Sequence, residues 1–444
     1  GRSGRGDQPM TEFQIGILWT SGLLAMVFLG VRVFAAAAIV GLLGTVHIIG
    51  WDAGAGIVGT VPHSKSVNYA LSVLPMFILI GFIAYHAGLT HALFEAAKAW
   101  FGWVPGGLAV ASVFATAGFA AVSGASTATA AVFSRVAIPT MLENNYSPKL
   151  AAGVVAAGGT LASLIPPSAI LVIYAIIVEE SVGALIIAGF IPGIISAIIY
   201  AMLIIGQCMV KPDMGRPIEF PGVVKSLKTL PGTLPIFFVV GVIFWAMYTG
   251  KATPTEAGAL GAFIVLCVAV FHGMKWENLE DALLETAKLT VMIFALIWGV
   301  LIFVRFLGYS GLPAEFAEWI ISLREEHGFA PVVIMILILC GYAILGMFMD
   351  AIGMLLLTLP VVYPAVIELG YSPIWFGIIV VKMCEVCLIT PPVGLNCYVV
   401  AAVRPDIPLG DVFRGIGPFF LADVATVGVF LAWPELITWL PDQL

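Results

Sequence analysis

Hydrophobic positions fall in long runs along the chain, with short polar interruptions between them. Most of these runs are long enough for an α-helix to cross about 30 Å of hydrocarbon. The clearest runs are 13–31, 33–51, 67–88, 183–209, 234–249, 254–271 and 288–308. The pattern predicts an all-α polytopic membrane protein whose surface is covered largely by the lipid bilayer.

The composition supports this interpretation and excludes several functions. Only 10% of the 444 residues are charged and 61% are hydrophobic, whereas a soluble domain has about 25% charged residues. The net charge of −7 provides no basic surface, so we expect no nucleic-acid partner. A membrane-embedded enzyme is an alternative, but the few histidines and the absence of hydrolase or metalloprotease motifs argue against it. We therefore predict that the protein is not an enzyme.

Basic residues predict how the chain is oriented in the membrane. The polar segment 211–232 carries Lys211, Arg216, Lys225 and Lys228, whereas 313–328 carries a single Lys or Arg. By the positive-inside rule the first segment is cytoplasmic, and the second is the best candidate for an exterior segment. The same rule places Lys98, Arg135 and Lys149 on the cytoplasmic side.

The two halves of the sequence resemble each other at an offset of 225 residues. Three features recur at this offset: a Pro and a Glu, the tripeptide Tyr-Ser-Pro, and a Pro-Pro pair. The matches are Pro139 with Pro364, Glu143 with Glu368, 146–148 with 371–373, and 166–167 with 391–392. The first copy has basic flanks and the second has not, which predicts two inverted repeats. Inverted repeats are typical of secondary transporters.

Each repeat contains an apolar stretch that is too short for two full crossings. Trp100–Leu142 is interrupted by small and polar residues at 123–129, and Phe329–Leu369 is interrupted around 346–350. Non-helical backbone at membrane depth is tolerated only where it lines a cavity or is buried in protein. Each stretch is therefore predicted to be a re-entrant hairpin.

The Pro-Pro pair in each repeat predicts a broken helix. Proline lacks an N–H and clashes with the carbonyl four residues earlier, which frees the carbonyls of Ala162, Ser163, Cys387 and Leu388. Unpaired carbonyls at membrane depth are costly, and Na⁺ is a suitable partner for them. Double prolines also kink helices, and small residues also serve helix packing. Because both features occur twice at matching positions, an ion site is the stronger hypothesis.

Four ionisable residues lie within or near apolar runs: Arg305, Asp350, Lys382 and Glu385. Charges in the membrane are expensive and are usually paired or functional. Lys382 and Glu385 are three residues apart, so we expect them to pair on one helix. Asp350 lies in the second interruption, where it is a candidate ion ligand.

These motifs carry a resemblance to a known family. The segment 123–168, with GMFMDAIGMLLLTLPVVYPAV at 346–366 and CEVCLITPPVGLN at 384–396, resembles the large membrane subunit of tripartite ATP-independent periplasmic (TRAP) transporters. The resemblance extends from about residue 13 to 440. Ala125, Ala162 and Cys387 depart from it, because Ser or Gly is expected at those positions.

The resemblance implies an elevator-type fold of the ion-transporter superfamily, in the bacterial cytoplasmic (inner) membrane. It implies Na⁺-coupled import of a small organic anion, with two or more Na⁺ sites. It further implies two partners on separate chains, a small four-helix membrane subunit and a periplasmic substrate-binding protein. A stand-alone divalent-anion:sodium symporter of the same fold remains an alternative, and a channel is a less favoured one.

The resemblance also implies the site residues, at the hairpin tips and the broken helices. The first Na⁺ is assigned to Ser123, Ser126, Ala162, Ile165 and Pro167. The second Na⁺ is assigned to Gly346, Asp350, Cys387, Thr390 and Pro392. The organic anion is assigned to Ser123, Gly124, Ala125, Ser168, Val393 and Asn396.

The repeats predict a division of the chain into five parts. Residues 1–9 precede Met10 and are interpreted as a tag or fusion remnant. The remaining parts are N-terminal scaffold helices at 10–98, first transport elements at 99–210, a cytoplasmic linker with second scaffold helices at 211–328, and second transport elements at 329–440.

Overall fold

The computed structural model describes residues 10–66, 69–392 and 394–443, and the regular structure in these ranges is helical. The first half contains α1 Glu12–Phe28, α2 Val33–Ile49, α3 Trp51–Ser66, α4 Val73–His86, α5 Leu89–Phe101, α6 Gly107–Ser123, α7 Ser126–Glu143, α8 Pro148–Thr160, α9 Ala169–Val178, α10 Val182–Ala188 and α11 Phe190–Val210. The second half contains α12 Val223–Leu227, α13 Leu234–Tyr248, α14 Pro254–Phe271, α15 Trp276–Ser310, α16 Leu312–Glu325, α17 Pro331–Gly346, α18 Ala351–Glu368, α19 Pro373–Ile389, α20 Leu395–Val403, α21 Leu409–Ala432 and α22 Glu435–Thr438.

Several of these helices are long and apolar enough to cross a membrane. Among the described residues five segments meet this condition, namely Val182–Val210, α14, α15, α18 and α21. The number rises to seven if two pairs of consecutive helices each count as one span with a bend in it. The bend is 72° between α4 and α5, and 58° between the segment that begins with α12 and the helix α13. The prediction of a multi-pass α-helical membrane protein is confirmed.

The helix boundaries repeat at the offset found in the sequence. Shifting α7 by 225 residues gives the bounds of α18, and α8 and α19 begin at the matching prolines Pro148 and Pro373. The preceding helices α6 and α17 correspond to within two residues at each end. The two copies therefore share one order of elements, while their inverted orientation stays a prediction.

The chain packs into two compact units. The first contains the described residues before Tyr69, together with Val291–Ile338 and Leu356–Tyr371. The second contains Tyr69–Thr290, Leu339–Leu355 and the chain from Ser372 onward. These units are defined by packing, whereas the predicted five-part division follows the repeats and stays a prediction.

In the first unit, glycines allow close contact between α2 and α15. A Cβ on Gly41 would lie 2.7 Å from the backbone nitrogen of Phe303, and a Cβ on Gly299 would lie 2.1 Å from the carbonyl oxygen of Phe34. Small residues at such crossings let backbones approach closely, and this packing holds helices together in lipid.

In the second unit, α8 and α21 make a similar crossing. A Cβ on Gly415 would lie 1.9 Å from the carbonyl oxygen of Lys149, and one on Gly153 would lie 2.5 Å from the carbonyl oxygen of Gly415. The two backbones touch here, so this crossing fixes the position of α8 and of the segment that follows it.

We expect Gly415→Ala to destabilise this crossing, because the new methyl group meets backbone that cannot rotate away. Overpacking of this kind costs about 1–3 kcal/mol, and we expect a lower midpoint of thermal unfolding in detergent. Gly417→Ala is the matched control, since it lies on the same helix with nothing within 4 Å of its Cβ. Equal midpoints for the two variants would contradict the described contact.

The polar segment after α11 is held against the loops that flank the first hairpin. Met214 accepts a hydrogen bond from the Ser147 amide at 2.9 Å, and Gly215 accepts one from the Gly106 amide at 3.0 Å. The Tyr146 hydroxyl donates to the Arg216 carbonyl at 2.9 Å. Burial raises the pKa of Tyr146 to about 12, so this hydroxyl remains a donor at neutral pH.

Candidate functional site

The tip of the first hairpin is a two-residue break between α6 and α7, formed by Gly124 and Ala125. Gly124 has φ +59°, and a Cβ there would lie 2.7 Å from the carbonyl oxygen of Pro167. The tip therefore lies directly on the Pro-Pro break. The interruption predicted at 123–129 is present but shorter, because 126–129 form the first turn of α7.

The first broken helix consists of α8 and α9, with the Pro166–Pro167 peptide bond in the cis form. All residues from 161 to 170 are buried. The hydroxyl oxygens of Ser126 and Ser163 are 2.5 Å apart, which joins the hairpin to the break. Ser168 caps α9 by accepting a hydrogen bond from the Leu171 amide at 3.3 Å.

Two of the four carbonyls that the prolines were expected to free have donors, so the prediction is wrong for them. The Ser168 hydroxyl donates to the Ser163 carbonyl, and the Thr390 amide donates to the Cys387 carbonyl at 3.4 Å. The reason is local, because a donor next to each proline pair replaces the missing helical N–H: Ser168 directly follows the first pair and Thr390 directly precedes the second. Each carbonyl still has a second lone pair.

The tip of the second hairpin lies between α17 and α18 and packs on α19. A Cβ on Gly346 would lie 1.6 Å from the sulfur of Cys387, so only glycine fits there. The Asp350 carboxylate accepts a hydrogen bond from the Gly353 amide at 2.9 Å and caps α18. This carboxylate thus has a structural role in addition to the predicted ion contact.

The second broken helix consists of α19 and α20, and the Pro391–Pro392 bond is also cis. Pro391 and Pro392 are exposed, in contrast to the buried first break. The Thr390 hydroxyl donates to the Val386 carbonyl at 2.6 Å. Val393, a predicted substrate residue, lies outside the described residues.

Asn396 connects the second break to the first repeat. Its side chain is buried, and its amide nitrogen donates to the Ala156 carbonyl of α8 at 3.1 Å. Its side-chain oxygen has no hydrogen-bond partner within the described ranges. An acceptor of this kind is suited to a cation, a water or a donor group of a ligand.

The structure therefore gathers the predicted residues into two groups, each made of one tip and one break. In the first group Ser123, Ser126, Ala162, Ile165, Pro167 and Ser168 are buried. In the second group Gly346 and Cys387 are buried, Asp350 and Thr390 are partly exposed and Pro392 is exposed.

A cavity lies beside the first tip. Its volume is about 150 Å³, and it is open to the surroundings. Its lining residues are Ile78, Gly81, Phe82, Tyr85, Phe119, Ser123, Ala125, Ala128, Ala131, Val132, Arg135 and Glu285. Two of the predicted substrate residues, Ser123 and Ala125, contribute to the walls.

A buried cluster of charges lies next to the broken helices. The Lys382 ammonium lies 2.6 Å from the Glu385 carboxylate and 2.8 Å from that of Asp423, and these three side chains are fully buried. The Tyr200 hydroxyl donates to Asp423 at 2.7 Å and also interacts with Thr160 at the end of α8. The predicted pairing of Lys382 with Glu385 is confirmed.

Asp423 is the member that the sequence reasoning missed. It lies within α21, an apolar helix of 24 residues, so an isolated carboxylate at membrane depth was its visible signal. Its partner Lys382 on α19 is 41 positions earlier in the sequence. At such a sequence separation only the three-dimensional packing shows that the two residues pair.

Helix breaks at matching positions of two repeats, inside a multi-pass helical bundle, are typical of membrane transport proteins. A family model described as "Tripartite ATP-independent periplasmic transporter, DctM component" matches residues 19–436. The chain belongs to this family, the large permease subunits of TRAP transporters, as the sequence motifs indicated.

Relatives with known assignments agree with this family. The chain is 36% identical over 380 residues to the large permease protein of a C4-dicarboxylate TRAP transporter from Pseudomonas aeruginosa, with 85% of each chain covered. It is 28% identical over 382 residues to the large permease protein of a sialic acid TRAP transporter from Vibrio cholerae, with 84% of this chain and 87% of that protein covered.

A solved structure has a similar fold. The crystal structure of the YdaH transporter from Alcanivorax borkumensis superposes with a TM-score of 0.61 at 15% identity, covering 95% of this chain and 98% of that one. At this identity the likeness concerns the fold alone.

Proposed function

We propose that this permease imports a small organic anion by coupling it to Na⁺ entry, with an elevator-type movement for alternating access. The observation that carries the proposal is the contact of each tip with its own broken helix: Gly124 lies against Pro167 of the first break, and Gly346 lies against Cys387 in α19, the helix that ends at the second break. Two such sites at matching repeat positions suit an ion-coupled carrier with a site near the membrane midplane.

The oxygen atoms at these sites suit Na⁺, a hard cation. At the first site the hydroxyls of Ser126 and Ser163 meet beside backbone carbonyls of the break. At the second site the Asp350 carboxylate supplies a negative charge next to the tip. Desolvating a cation costs several kcal/mol unless ligands and countercharge compensate, so the second site has an advantage that the first lacks.

The proposed partners are a small membrane subunit and a periplasmic substrate-binding protein, and the proposed location is the bacterial inner membrane. Support comes from the family, whose description names a tripartite transporter, and from relatives named for C4-dicarboxylates and sialic acid. Both named substrates are organic acids, so we propose a carboxylate substrate for this chain.

Uptake into proteoliposomes tests the proposal. With both partners present and an inward Na⁺ gradient, we expect labelled organic acid to accumulate above its equilibrium level. Replacing Na⁺ by K⁺ should reduce the initial rate at least tenfold, because K⁺ is too large for sites shaped around Na⁺. Undiminished uptake in K⁺ would contradict Na⁺ coupling.

The same assay separates the alternative function. A stand-alone symporter would accumulate substrate at the full rate without the binding protein and the small subunit. For a tripartite transporter we expect this chain alone to show less than about a tenth of the complete rate, and full activity of the chain alone would favour the alternative.

A further inference from the structure

Arg135 is a cation placed in the cavity beside the first hairpin tip. It lies on α7, nine residues after Ser126, and it lines the same cavity as Ser123 and Ala125. Its guanidinium donates a hydrogen bond to the Tyr85 hydroxyl at 3.2 Å. Among the described residues no carboxylate forms an ion pair with it.

The other charged residue of the cavity already has a partner. The Glu285 carboxylate contacts the ring nitrogen of His86 at 3.1 Å. Arg135 is therefore the basic residue among those that line the cavity, and the hydrogen bond described for its guanidinium is to a neutral hydroxyl. A guanidinium presents several N–H donors in a plane, which matches the two oxygens of a carboxylate.

The remaining walls are mainly apolar, with Ile78, Phe82, Phe119 and Val132 among them. Ligand sites commonly combine such walls with a few polar groups that fix orientation. A hydrocarbon body with one or two carboxylates suits this lining better than an inorganic ion does.

We propose that Arg135 binds the carboxylate of the organic anion in this cavity, on the route between the first hairpin tip and the cytoplasm. The inference rests on the proposed function for the nature of the cargo, and on the basic flanks of the first repeat for the direction. Arg135 thereby recognises charge at a point separate from the tip residues Ser123 and Ala125.

A charge-selective thiol probe tests the proposal without requiring transport. Ala131 lines the cavity one helical turn before Arg135, on the same face of α7. Ala131→Cys is treated with methanethiosulfonate reagents that carry either a sulfonate or a trimethylammonium group, and modification at this position is followed by mass spectrometry. The measured quantity is the ratio of the anionic to the cationic reaction rate.

We expect Arg135→Gln to lower this ratio about tenfold, because removing a unit charge one helical turn away changes the two rates in opposite directions. Arg135→Lys should preserve most of the ratio. Lys98→Gln is the matched control, since it removes a positive charge outside the cavity, and we expect no change.

An equal ratio before and after Arg135→Gln, in protein with an unchanged unfolding midpoint, would overturn the proposal. So would a thiol that neither reagent modifies at Ala131→Cys or at Ala128→Cys, because the cavity would then be closed to anions. A third outcome separates the two proposals. If the thiol probes show a charge-selective cavity but the proteoliposomes show no Na⁺-driven uptake, the result counts against the proposed function and leaves the role of Arg135 standing.

Discussion

Lys382→Met should lower the free energy of unfolding by about 3–5 kcal/mol, which is the usual effect of removing one partner from a buried ion pair. The substitution leaves the carboxylates of Glu385 and Asp423 fully buried without their shared cation. We expect little folded protein in detergent, and in any remaining protein a clearly lower unfolding midpoint, as measured by fluorescence-detected size-exclusion chromatography after heating.

Two further variants separate charge imbalance from lost packing. Glu385→Gln and Asp423→Asn, combined with Lys382→Met, remove all three charges with little change of shape, and we expect much of the stability to return. Lys98→Met is the surface control, because Lys98 is partly exposed and pairs with Glu95 one turn away. A triple variant as unstable as Lys382→Met would mean that packing of the lysine stem, rather than charge balance, dominates.

The sequence predicted the local breaks of the fold well. A short polar stretch within an apolar run can only be a lined or buried turn at membrane depth, and both hairpins break where such stretches occur. The Pro-Pro pairs end helices because proline lacks the N–H that a helix requires. Matching motifs at one offset also predicted the common element order of α6–α9 and α17–α20.

The contacts between these breaks could not be predicted in the same way. Gly346 fits against Cys387 because α17 packs on α19, which brings together residues 41 positions apart. Only the family resemblance placed these two residues at one site, since neither their types nor their spacing indicates a contact. The motifs also suggested equivalent sites, whereas the first break is buried and Pro391 and Pro392 are exposed. Identical local motifs do not determine which surrounding helices cover them.

Donors close to each break were a second source of error. Counting the carbonyls that a proline releases ignores the side chains a few residues away, and the Ser168 hydroxyl occupies one of those carbonyls. Ser and Thr readily bond to nearby backbone groups, so the count from sequence was an upper limit. Asp350 shows the same effect, since its carboxylate caps α18 through the Gly353 amide.

This capping role makes Asp350→Asn a sharp test of the proposed second Na⁺ site. The amide oxygen of Asn can still accept from the Gly353 amide, so the cap is preserved and only the charge is lost. If the carboxylate offsets the cost of desolvating Na⁺, the Na⁺ concentration for half-maximal uptake should rise about tenfold or more, which corresponds to about 1.4 kcal/mol.

Ser126→Ala provides the comparison at the first site, where the hairpin contributes a hydroxyl and no charge. It removes the contact with the Ser163 hydroxyl, and we expect a smaller rise in half-maximal Na⁺ than for Asp350→Asn. The measurement is initial uptake against Na⁺ concentration in proteoliposomes that contain both partners. Unchanged Na⁺ dependence for Asp350→Asn, at normal expression, would mean that the carboxylate serves the α18 cap alone and that the second ion lies elsewhere.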